Sequence, residues 1–324
     1  MDQHIPQERS SALSLPKLKC HLSELVSFLD KAFRAFEFGP DIVFSEWGPR
    51  VIDISNPRVT ALLEPSFLSR WNGLMFQGAS LVSTVYFTCF PSTEALSTIA
   101  LTATPGSVIF CHHALDYRSG SSEEVLGAGF VPWNLDLFEH LRNRGVSLYV
   151  SHAPLDYNPT CGTTAALADA LEMQPDKRSS IIGEPHRTVG LIGEINPVSV
   201  VDLKVKLSQI AGVTRVDCFG DTNRTIQRVA VVAGECTSIK AMRLALDAGA
   251  DAFVAGEVVS FASGSWGEAR RAEFKSANIQ QSLVLMAISH GASESIVFEK
   301  HLVPLITERF GLECHVINEL NWWR

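Results

Sequence analysis

The sequence predicts an α/β fold. Short apolar runs alternate with amphipathic segments, which is how strands and crossover helices are written in a sheet protein. The 324 residues are 46% hydrophobic and 19% charged, enough to bury a sizeable core. No self-similarity recurs at a period of roughly 20–50 residues, which excludes a solenoid.

Taken in order, the polar stretch over residues 1–15 predicts a flexible tail. Leu22, Leu25, Val26, Leu29 and Phe33 then recur at helical spacing. A less regular stretch runs past Trp47 and Trp71. LVSTVYF (81–87), SVIFC (107–111) and SLYVS (147–151) predict buried strands, and TTAALADALEM (163–173) a helix. The Glu, Pro, His and Arg at 184–187 mark a boundary between a first lobe over 16–185 and a second over 186–324. In the second, RVAVVAG (228–234), AFVAG (252–256), LVLMAIS (283–289) and the late ECHVI predict strands. SIKAMRLALDAGA (238–250) and 296–311 predict helices, the latter stopped by Gly311. The polar segment 262–281 predicts a surface insert. The loop GECTS (234–238) predicts a plain turn from strand to helix, with an anion cradle as the sharper alternative.

The bulk chemistry narrows the function. A net charge of -8 and a pI near 5.7 lack the basic footprint of a nucleic-acid binder. Seven scattered cysteines without a C-x-x-C predict a reducing cytoplasm, and the N-terminus carries no apolar signal segment. No apolar run approaches the roughly 20 residues needed to cross a bilayer. The expectation is a soluble cytoplasmic protein with a small-molecule partner.

Three of the predicted strands end alike. SVIFC runs into His112 and His113, SLYVS into His152 with Asp156 four residues on, and LVLMAIS into His290 with Glu294 four residues on. Functional groups of open α/β sheets gather beyond the carboxyl ends of strands, and imidazoles with carboxylates suit zinc, iron or manganese. Adjacent side chains on a strand end point to opposite sides, so His112 and His113 suit two ions better than one. A carboxylate on a helix start after His290 can bridge the two with its two oxygens. Each fragment alone has a bland meaning as a packing histidine or a capping carboxylate. His4, His21, His140, His186, His301 and His315 lack the repeated setting.

At these residues the sequence resembles the NIF-three-like family, often labelled GTP cyclohydrolase 1 type 2. HHAL (112–115), SHAPLD (151–156) and SHGASE (289–294) stand where that family has its His-His-Pro, Ser-His-Thr-Asn-Leu-Asp and Gly-His-x-x-Ser-Glu segments. GLIGEI (190–195), DCFGDTNRTIQRVAVVAGECTS (217–238) and LDAGADAFVAGEV (246–258) resemble further segments in the right order from about residue 80. The resemblance implies two similar intertwined lobes with a dinuclear metal site in the cleft between them. It implies His112, His113, Asp156, His290 and a bridging Glu294 as ligands of two divalent ions, with His152 close by, either supporting the ligands from behind or shuttling a proton. It also implies a homo-oligomer, such as a hexameric ring.

The departures are local. Trp47 is followed by Gly-Pro-Arg in place of Asp-Asn-x-Gly, Ala114 replaces the proline after the histidine pair, and Gly256-Glu257 is followed by no histidine. Retained ligands with altered flanks imply metal–water chemistry on a substrate other than GTP. The expectation is therefore hydrolysis of a C–N bond in a small amide or nitrogen heterocycle by a metal-bridging hydroxide, with His152 and Glu294 catalytic. Tyr117, Arg118 and Tyr157 are candidates to orient substrate, or else plain loop residues. The alternative is a metal carrier or regulatory protein without turnover.

Overall fold

A computed structural model describes residues 19–118, 129–262 and 264–318; the tail expected over 1–15 lies outside them. The predicted strands gather into two mixed sheets. In the five-stranded first sheet the order is Glu313–Val316, Thr84–Thr88, Ser107–Cys111, Ser147–Val150, Gly73–Phe76. Its first four strands run parallel and the last antiparallel. In the six-stranded second sheet the order is Asp217–Phe219, Val284–Ala287, Ala252–Glu257, Thr225–Glu235, Arg187–Ser199, Ser179–Glu184. Here Val284–Ala287, Ala252–Glu257 and Thr225–Glu235 are parallel, and the flanking pairs are antiparallel.

The parallel cores follow from continuous apolar runs. Every residue of Ser107–Cys111 is buried, as a strand covered on both faces requires. Alternation then sorts its side chains: Val108 and Phe110 join one hydrophobic cluster, Ile109 and Cys111 the other. Burying a side chain such as Phe110 stabilises by roughly 1.5–3 kcal/mol. Parallel neighbours need crossovers, and two of the helices that make them begin at a capping serine. Ser92 caps Thr93–Thr102 by accepting from Ala95 N, and Ser238 caps Ile239–Asp247 through Ala241 N.

The two α/β halves are intertwined. Helix Thr163–Ala170 follows the first sheet in sequence, yet its Leu167 and Ala168 pack with Val229 and Val231 of the second. In the opposite sense, Phe298, Leu302 and Ile306 return to cover Phe87 and Phe110, beside Leu25 and Leu29 of helix Leu22–Ala32. The strand Glu313–Val316 then joins the first sheet's edge.

Two segments differ from their plain sequence reading. The polar surface insert expected over 262–281 is largely helical: Gly264–Ala277 is a helix with a mostly exposed surface, but its Phe274 is buried with its ring 5.6 Å from that of Phe219. The helix expected over 296–311 begins earlier, as His290–Val297, widens into a π turn at Phe298–Leu302, and resumes as Val303–Phe310. The resumed segment places Pro304, which has no N–H to donate, in its own first turn. Gly311 ends it at φ 64°, its N–H reaching Thr307 O. Among the described residues, no helix is long and apolar enough to cross a membrane.

Candidate metal centre

Both sheets aim the carboxyl ends of three adjacent parallel strands at the same place. From the first come Cys89 after Thr84–Thr88, His112 and His113 after Ser107–Cys111, and His152 after Ser147–Val150. From the second come Gly234 and Glu235 ending Thr225–Glu235, Glu257 ending Ala252–Glu257, and His290 after Val284–Ala287.

Glu294 stands at the centre, 3% exposed. Its Oε1 lies 3.5 Å from His112 Nε2 and 3.3 Å from His290 Nε2, while its Oε2 lies 2.9 Å from His113 Nε2. The adjacent imidazoles thus meet different oxygens of one carboxylate, with their ring planes 89° apart. Asp156 Oδ1 is 3.5 Å from His112 Nε2 and accepts from Thr163 Oγ1 at 2.6 Å. All five sequence-derived donors therefore converge. Close approach depends on glycine: a Cβ on Gly234 would sit 2.2 Å from Glu294 Oε1, and one on Gly256 would sit 2.8 Å from His290 Cα. Ser289, just before His290, holds a positive φ of 85° that a non-glycine residue rarely adopts.

The histidines are fixed from behind, as metal-binding imidazoles commonly are. His112 Nδ1 donates to the Ser151 carbonyl at 2.8 Å, so Nε2 is the nitrogen left for a cation. His290 Nδ1 faces Glu257 Oε1 at 3.2 Å. His152 Nδ1 faces Asp41 Oδ2 at 2.9 Å, and its backbone N–H donates to Asn72 Oδ1. Asp41 is itself pinned, accepting from the backbone N–H groups of Val43, Phe44 and Ala153.

Electrostatics fit a cation. Burial alone would lower the pKa of His112, but Asp156 and Glu294 outweigh it and raise it to about 9. Burial likewise opposes the charge on His290, yet Glu294 and Glu257 push its pKa well up. Burial would raise the Glu294 carboxyl, but three imidazoles hold it well below the usual range. The carboxylates thus draw positive charge to the point where His112 Nε2, fully buried, has no hydrogen-bond partner. That orphaned nitrogen between two carboxylates is what a metal ion would satisfy. The donor groups His112, Asp156, Glu294, then Cys89, His113, Glu294, and His112, His113, His152 each bring their ligand atoms within 4.8 Å of one another.

A cavity of about 370 Å³ opens over the donors, lined by Phe44, Trp47, Phe130, Tyr117, Tyr157, Glu235 and Trp266 as well as His113, His152 and Glu294. Of the three orienting candidates, Tyr117 and Tyr157 line it. Arg118 instead turns to Glu94 at 3.6 Å and Asp116 at 3.7 Å. A larger groove of about 710 Å³ along helix Leu22–Ala32 holds no such donor set. Sequence reasoning passed over Cys89, Asp41, Glu257 and Trp266. Cys89 and Glu257 had a visible signal, since each follows an apolar run that predicts a strand, as His112 does.

Comparison with known proteins agrees with the architecture. A relative from Neisseria meningitidis serogroup B, described as a GTP cyclohydrolase 1 type 2 homolog, is 23% identical over 253 residues, covering 75% of this chain and 87% of its own. The solved structure of ybgI, a protein of unknown function, superposes with a TM-score of 0.60 at 21% identity, over 93% of this chain and 99% of that one. TTHA1606 from Thermus thermophilus gives 0.59 at 19% identity, with 93% and 99% coverage. Reduced HcgD from Methanocaldococcus jannaschii gives 0.57 at 14%, again with 93% and 99% coverage. These distant structures share the fold. Residues 59–321 match the pattern of one family along most of the chain, so the protein belongs to the Duf34/NIF3 (NGG1p interacting factor 3) family.

Proposed function

We propose that this protein is a dinuclear metal-dependent hydrolase that cleaves a C–N bond in a small amide or nitrogen-heterocyclic substrate. The observation that carries the reading is Glu294: one buried carboxylate whose two oxygens face separate imidazoles. His112, Asp156 and Glu294 would hold one divalent ion, and His113, His290 and Glu294 a second; zinc, iron and manganese all suit this set. Ions bound there supply Lewis-acid charge and lower the pKa of a coordinated water.

The remaining steps belong to the chain. His152, backed by Asp41, holds or passes a proton at Nε2, which lies 3.9 Å from Asp156. Trp47, Phe130, Tyr117 and Trp266 give the cavity flat apolar walls, suited to a planar substrate and able to exclude water. The relative's cyclohydrolase description supports ring-opening at a C–N bond, while Gly48, Pro49 and Arg50 after Trp47 argue for a different ring. The scattered cysteines and the family resemblance extend the proposal to a cytoplasmic homo-oligomer.

Metal content by elemental analysis, followed by turnover of a panel of heterocyclic amides and nucleotides with and without chelator, tests it. Turnover that survives chelation sinks the proposal. A fully loaded protein that turns over nothing on the panel favours the carrier role.

A further inference from the structure

Cys89 is 1% exposed and sits one residue beyond the strand Thr84–Thr88. Its carbonyl accepts from the His113 backbone N–H at 2.8 Å, which fixes the two residues side by side. Its Sγ lies 3.2 Å from Glu294 Oε2, the same oxygen that His113 Nε2 meets at 2.9 Å. Among the described residues it is the one cysteine in any cluster able to hold a metal ion. The cluster is not a cysteine alone, because its other two members, His113 and Glu294, are buried donors whose ligand atoms lie within 4.8 Å of its sulfur and of each other.

We propose that Cys89 is a thiolate ligand of the ion on the His113 side of Glu294, so that the two metal positions are chemically unequal. This rests on the dinuclear reading above. Donors around zinc at about 2.0–2.3 Å stand roughly 3.3–3.7 Å apart at tetrahedral angles. The observed separations of 2.9 and 3.2 Å therefore need to open by only a few tenths of an ångström. On binding, the thiol proton leaves to solvent and sulfur gives its electron pair to the ion; nothing is oxidised. The position on the His112 side, with Asp156, has only nitrogen and oxygen donors.

The consequence is selectivity. A thiolate favours zinc or iron and disfavours magnesium and manganese. With Cys89 added to His113, His290 and Glu294, the sulfur side reaches four protein donors and a closed coordination shell, whereas the His112 side keeps three and a position open to substrate.

The probe is Co²⁺ alone, added to the full metal-free chain. Wild type should show an intense near-ultraviolet sulfur-to-cobalt charge-transfer band together with visible d–d bands. Cys89→Ser should lose the former while keeping visible absorption from the His112 side. A second measurement needs no variant: X-ray absorption at zinc in loaded wild type should show a sulfur shell near about 2.3 Å. Cobalt bound without the charge-transfer band, the band persisting in Cys89→Ser, or zinc surrounded by nitrogen and oxygen only overturns Cys89 ligation and leaves the metal centre standing. A wild-type chain that binds no cobalt at all overturns both.

Discussion

The two sheets contribute to the centre in different ways. The first delivers its groups as strand-end side chains, His112, His113 and His152, with partners such as Ser151 O and Asn72 Oδ1 setting their positions. The second delivers Glu294 and His290 on a helix, which must come close enough for Gly234 and Gly256 to be unsubstituted. One half supplies most of the imidazoles; the other supplies the carboxylate that ties them together and the backbone room it needs. A site between two sheets is thus specified by donors on one side and by clearance on the other.

The largest effect should come from breaking the tie. Glu294→Gln keeps the shape but removes the charge shared by both positions, so metal content should fall by at least half by elemental analysis and turnover should be lost. Unchanged metal content would mean that the two halves hold ions independently.

Next comes the first half's internal support. Asp41→Ala removes a buried carboxylate, the partner of a half-buried His152 and the acceptor of three backbone N–H groups, and should cost about 3–5 kcal/mol in denaturant unfolding. Burial would raise the Asp41 carboxyl, but His152 and the backbone donors hold it below its ordinary value. A carboxyl depressed in the folded state stabilises above its unfolded pKa and loses that contribution as pH falls. The gap between wild type and Asp41→Ala should therefore narrow below about pH 4. A gap that widens in acid would reverse the assignment.

Gly234→Ala tests clearance in the second half. The new methyl would collide with Glu294 Oε1, and the residue would have to hold φ at 76°. About 2–4 kcal/mol of destabilisation is expected, with metal affinity reduced as well. Normal affinity in a stable variant would show that the helix can retreat. The smallest effect is Thr163→Val, which removes one hydroxyl from Asp156 and should cost about 1 kcal/mol. Its zinc affinity should drop by roughly tenfold, on the His112 side alone.

Much of this was legible in residue order. Apolar runs such as SVIFC and LVLMAIS became central parallel strands because burial on both faces erases alternation, and the histidines after them converged as strand-end placement requires. The antiparallel pair Ser179–Glu184 and Arg187–Ser199 escaped, since its exposed polar residues dilute any strand period. So did the helix at Gly264–Ala277, whose mean composition is polar although Trp266 lines the cavity and Phe274 is buried. Asp41 was illegible for another reason: it meets His152 across 111 residues, and an aspartate beside a helix start has an ordinary local meaning.

The strand Glu313–Val316 carries a consequence for biosynthesis. It pairs with Thr84–Thr88, a segment translated long before it. The edge of Thr84–Thr88 therefore stays unpaired, with Cys89 beside it, until a strand far along the chain reaches it, and long-range pairing of that kind forms slowly. Until that pairing forms, the exposed edge is a template on which another strand can settle, so the first sheet is open to mispairing while the chain is incomplete.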